Sequence, residues 1–149
     1  MAQYAVPDVD VVDGNWQDHL AGTDLHTQIV PGTPGTIGAG DDATYIESGA
    51  NPSSDACEMD LSTIEDPVSS SGHIMRWRRK KDAAGGGTIG LTLNLREGST
   101  GGNGTVIVTS VDADLSDTVA TTTDTLTGGE ADSITDYSDL QIQFIATQT

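Results

Sequence analysis

The sequence predicts a mostly β protein: an antiparallel β-sandwich of jelly-roll type with one short helix and an extended N-terminal arm. Three observations point there. Apolar and polar residues alternate in several runs, the period of a strand with one face on a core. These runs recur at roughly ten-residue spacing and are separated by Gly, Pro, Ser and Asp clusters, as in sandwiches and jelly rolls. Only one segment, 128–140, carries apolar residues at helical spacing. A chain of 149 residues is one domain's worth of protein and can bury roughly 70% of its unfolded surface.

The elements follow in order. Residues 1–15 alternate Val and Asp and read as an arm that adds a strand to a neighbour; residues 16–149 read as the single domain. PGTPGTIGAGDD (31–42) holds two Pro-Gly steps and reads as a loop that reaches a neighbour. ATYIE (43–47) is a short strand centred on Tyr45 and Ile46, and ESGANPSSD (47–55) is a turn cluster. CEMDLS (57–62) alternates. SSSGHIMRWRRKK (69–81) puts His73, Met75 and Trp77 on one face and Ile74, Arg76 and Arg78 on the other. TIGLTLNLREG (88–98) is the clearest strand, with Ile89, Leu91, Leu93 and Leu95 facing a core and Thr92, Asn94 and Arg96 facing water. TVIVTSV (105–111) follows a glycine turn, and the Thr-rich TVATTTDTLTG (118–128) suits an exposed strand. GGEADSITDYSDL (128–140) has an acidic first turn, then Ala131, Ile134 and Tyr137, and predicts a helical turn. LQIQFIAT (140–147) closes the domain with Leu140, Ile142 and Phe144 on one side.

Charge narrows the functional classes. Lys and Arg number 6 against 23 Asp and Glu, a net charge of −17. Phosphate binding needs basic surface, so nucleic acid is not an expected partner. No run approaches the ~20 apolar residues of a membrane helix, so no membrane partner is expected. The first ten residues have neither a basic nor an apolar stretch, so no signal peptide is expected. Residues 1–75 contain thirteen acids and no base, whereas Arg76, Arg78, Arg79, Lys80 and Lys81 form one block. That block is the leading candidate for docking to an acidic surface, such as the acidic half of a neighbouring copy. Its competing reading is a solvated strand face paired in cis. Tyr4 on the arm and Trp16 complete the candidate partner-binding set.

Catalysis and cofactors find little support in the residues. His19, His26 and His73 have no motif spacing, and there is no HExxH, GxSxG or phosphate loop. Cys57 is the only cysteine, which leaves no disulfide or Cys-based zinc cluster, and a lone Cys in a strand pattern reads as a small core residue. Asp8, Asp10 and Asp13, like Asp112, Asp114 and Asp117, miss the register of a calcium loop. Asp41 and Asp42 could add ligands, but solubilising charge is the favoured reading. The expectation is no enzyme, no cofactor and no bound metal. The alternative is a carbohydrate-binding jelly-roll module, which stacks sugars on exposed aromatics. The chain has few candidates for this, chiefly Trp16 and Trp77.

DPVSSSGHIMRWRRKKDAAGGGTIGLTLNLREGS and TLTGGEADSITDYSDLQIQFIA together resemble a recurrent domain of tailed-bacteriophage virion structural proteins. The matching features are Gly72-His73, the aromatic-basic strand Met75 to Lys80, the leucine strand Leu91 to Glu97, the segment Leu126 to Leu140 and the strand Ile142 to Ala146. Trp16, Tyr45-Ile46 and Asp66-Pro67 are upstream landmarks, so the resemblance spans about residues 16–147. It implies a jelly-roll-like fold in the virion. The leading role is a capsid decoration or cement protein that binds the major capsid protein, clusters as a homo-oligomer such as a trimer, and sits on the capsid surface after assembly in the host cytoplasm. A tail- or fibre-associated module for host-surface attachment is the alternative. The chain departs from the pattern in its glycine insertion, 101–104, and in its acidic N-terminal half.

Overall fold

A computed structural model describes residues 3–29, 43–83, 87–98, 101 and 103–149. The proposed loop at 31–42 lies outside them. The fold is mostly β and antiparallel, as the alternation predicts. Strand β1 is Pro7–Val12, β2 Gln17–Asp18, β3 Ile46–Glu47, β4 Ser53–Leu61 and β5 Ile74–Arg79. Strand β6 is Ile89–Glu97, β7 Thr105–Asp112, β8 Ala120–Thr125 and β9 Leu140–Gln148. Helix α1 is the single turn His26–Ile29, which the sequence pattern does not announce, and α2 is Gly128–Ser133 inside the predicted helical segment. The main sheet runs β1-β4-β9-β6-β7, while β2-β3 and β5-β8 are separate two-stranded pairs.

The alternation becomes packing through register. Leu93 pairs with Phe144, which pairs with Cys57; Leu95 pairs with Ile142, which pairs with Met59. These side chains share one face, and Leu93, Cys57 and Met59 are almost fully buried. Trp77 of β5 joins the same cluster, so the β5-β8 ribbon covers this face as the second layer. A second cluster gathers Leu95, Ile107, Leu126, Ile134, Tyr137 and Leu140 beneath α2. Thr127 and Glu130 form a capping box at α2: the Thr127 hydroxyl accepts from the Glu130 amide, and the Glu130 carboxylate accepts from the Thr127 amide. His73 Nε2 lies 2.7 Å from the Tyr137 hydroxyl, which ties this segment to the chain just before β5.

Two expectations change. Residues 7–12 are not a free arm. They form the edge strand of the chain's own sheet, paired with Leu61 to Glu58 of β4, because the outer edge of β4 offers open backbone groups. The far face of the main sheet is also not simply wet. Glu58, Gln143, Asn94 and Thr109 stand side by side across β4, β9, β6 and β7. Glu58 is 1% exposed, and Gln143 and Asn94 are each 8% exposed. Thr109 Oγ1 donates to Asn94, Asn94 Nδ2 to Gln143 Oε1, and Gln143 Nε2 to Glu58. Gly101 and Gly104 of the glycine insertion lie beside this row. The Gly101 amide donates to Glu58, and Arg96 donates to the Gly104 carbonyl. A Cβ on Gly104 would stand 2.2 Å from the Gly98 carbonyl oxygen, so only glycine lets the loop return this closely.

Leu93→Ala should cost about 2–5 kcal/mol through lost burial and a residual cavity. Val111→Ala, at a position 64% exposed, should stay within about 0.5 kcal/mol. Urea denaturation of both variants checks this. The backbone and hydroxyl hydrogen bonds from Thr127 hold the Glu130 carboxyl below its ordinary range. A carboxyl lowered by folding stabilises above its unfolded value, about 4.3, and loses that contribution as pH falls through the folded value. Glu130→Gln should therefore be less stable than wild type at pH 7, and the gap should close on acidification. Thermal midpoints between pH 7 and pH 2.5 measure it.

Candidate functional site

The basic block is split by strand alternation. In the β5-β8 ribbon Ile74 pairs with Thr125, Arg76 with Thr123 and Arg78 with Thr121. All six are exposed and face away from the core, and Lys80, exposed beyond the strand end, extends the row. Arg76 Nε donates to Thr123 Oγ1 at 3.2 Å, which orders its stem along the ribbon. The result is an exposed basic strip, with threonines beside it and an exposed isoleucine at one end.

Arg79 and Lys81 belong elsewhere. Arg79 turns inward with Trp77; its Nε and Nη2 reach Asp112 Oδ2 at 2.9 and 2.6 Å. Its guanidinium also stacks 4.3 Å from the Trp77 ring centroid. Lys81 Nζ pairs with Asp114 Oδ1 at 2.8 Å. Both partners lie at the end of β7, so these two bases fasten the ribbon to the main sheet. Trp77 Nε1 and Ser110 Oγ both donate to Asp124 Oδ2, a third fastening. The block is thus part strip, with Arg76, Arg78 and Lys80, and part clamp.

The other candidates separate as well. Trp16 is buried, donates its indole N–H to the Asp55 carbonyl at 3.0 Å and packs against Phe144, so it is a core residue. Tyr4 is 38% exposed at the start of the chain. Both tryptophans are buried, which leaves neither as a stacking platform. Cys57 is wholly buried, and that burial pushes its thiol far above its ordinary value, so it stays a thiol.

The acids and histidines regroup in a way spacing could not show. Asp112 and Asp114 are taken by Arg79 and Lys81. Asp10 does not meet a calcium loop. It lies with Asp24 and His26, whose donor atoms are all within 4.8 Å of one another. His19 packs on Tyr45 and His73 on Tyr137, each apart from this group. No sequence motif flags Asp10, Asp24 and His26, because the fold of residues 13–25 joins them.

No protein-family model, curated protein or solved structure matches the chain. The surface itself must therefore carry the functional reading.

Arg79→Ala should lower stability by about 1–2 kcal/mol, since it removes a stacked, partly buried ion pair. Arg78→Ala on the exposed face should change it by less than about 0.5 kcal/mol. Guanidinium denaturation of the two variants separates clamp from strip.

Proposed function

We propose that this chain is a virion structural protein, a decoration or cement protein that docks on the outer shell of a tailed-phage capsid without catalysing a reaction. The observation that carries the reading is the exposed strip Ile74, Arg76, Arg78 and Lys80 along a two-stranded ribbon of a protein with net charge −17. An exposed basic strip with an apolar end suits an acidic protein surface, and the major capsid protein is the partner proposed. Opposite charge orients the encounter, and burial of Ile74 adds apolar contact. Binding to the assembled shell alone would stabilise that shell by mass action. The acidic remainder would keep unassembled copies soluble. The sequence resemblance supports the same role, with copies grouped as a homo-oligomer. The sugar-binding alternative has less support, because it asks for exposed aromatics and both tryptophans are buried.

The test adds purified protein to capsids that lack it. Bound copies per particle are counted by quantitative mass spectrometry, and the particles are then heated. Hundreds of copies, raised heat resistance and weaker binding at high salt are expected. Arg76→Glu with Arg78→Glu and Lys80→Glu should abolish binding and leave the fold intact. A dozen copies or fewer, or binding indifferent to the triple reversal, would overturn the shell-wide reading.

A further inference from the structure

We propose that Asp10, Asp24 and His26 form a site for one divalent transition-metal ion of the Zn²⁺ class. The inference is independent of the capsid reading. His26 Nδ1 lies 3.2 Å from Asp10 Oδ2 and 3.2 Å from Asp24 Oδ1. Ligands held at about 2.0–2.1 Å around a tetrahedral Zn²⁺ stand about 3.3 Å from one another. The nitrogen and each oxygen therefore already have the spacing of neighbouring ligands.

A second observation points to a ligand between them. The His26 Nδ1 atom is buried and, among the described residues, makes no hydrogen bond; its near neighbours are the two carboxylate oxygens at ion-pair distance. A shared cation would satisfy all three donors at once.

The supporting shell is built in. Asp10 is fixed on β1, where its Oδ2 accepts from the Leu25 amide and its Oδ1 from the His26 amide, both at 2.7 Å. Such outer hydrogen bonds orient metal-binding carboxylates. Leu25, between the other two ligands, is completely buried in the main core, so the backbone that carries Asp24 and His26 is anchored. Asp24 has a side chain 65% exposed, which leaves the solvent side open for a water ligand. An imidazole with two carboxylates selects borderline first-row cations over Ca²⁺ or Mg²⁺, which prefer oxygen alone. The strongly negative chain raises the local cation concentration. A bound ion would clamp residues 24–26 to the edge strand β1.

Full-length protein stripped with chelator is titrated with ZnCl₂ by calorimetry, with thermal melts in parallel. One ion per chain and a melting temperature that rises with free Zn²⁺ are expected. Asp24→Asn and His26→Gln should each weaken binding at least about tenfold, while His19→Gln and His73→Gln should not. Melts of the metal-free variants verify folding; Asp24 is exposed, so at least that variant should fold as wild type. Absence of saturable binding below roughly 100 μM would overturn the site. So would equal Zn²⁺ binding by wild type and the Asp24→Asn variant, which would mean diffuse collection by acidic surface. Equal stabilisation by Ca²⁺ would overturn the assigned class.

Discussion

Strand β9 is hydrogen-bonded on both edges, to β4 and to β6, and its register sets both faces of the main sheet. With Phe144 between Leu93 and Cys57, and Ile142 between Leu95 and Met59, the core face is continuous across three strands. The same pairing sets Gln143 between Asn94 and Glu58 on the opposite face. A slip of one residue would drive Gln141 and Gln143 into the core and expose Ile142 and Phe144, so it is strongly disfavoured. The buried amide-carboxylate row then adds specificity, since each member finds its partner only in this register.

The second layer depends on that face. An isolated two-stranded ribbon is marginal in water. Here β5 and β8 persist because Trp77 enters the main core and because Arg79, Lys81 and Asp124 fasten their ends to β7 and the turn after it. The inward half of the ribbon attaches it to the main sheet, while Ile74, Arg76 and Arg78 of the outward half stay exposed to solvent. Attachment to the core and exposure to solvent are thus divided between alternate residues of one six-residue strand.

The motif segment 126–140 also has a structural account. Thr127 and Glu130 cap α2, Ala131, Ile134, Tyr137 and Leu140 are buried, and Tyr137 meets His73. Glu97 accepts from the amide and the hydroxyl of Thr135, which joins the segment to the end of β6. The parts of the sequence that carry the resemblance are therefore parts that touch one another. They describe how the fold closes, and one of them, the aromatic-basic strand, also carries the exposed basic strip.

Local pattern determined the strands. Leu91, Leu93 and Leu95, or Cys57 and Met59, sort to one face because a strand's side chains alternate whatever lies around it. The helical turn of α2 was legible for a similar reason, since its acidic first turn and the spacing of Ala131, Ile134 and Tyr137 lie within a few residues, although that pattern does not announce its capping box at Thr127 and Glu130. Tertiary structure alone decided the rest. Charge type could not separate Arg76, Arg78 and Lys80 from Arg79 and Lys81, because the difference is whether Asp112 and Asp114 lie across from the side chain. Alternation placed Asn94 in water, yet it is buried beside Gln143, which joins it to the buried Glu58. Asp10, Asp24 and His26 have no periodicity that links them, and only the packing of Leu25 beside β1 brings them within 4.8 Å. Alternation and helical spacing are short-range and are written in adjacent residues; pairing across strands is long-range and exists only once the chain has closed.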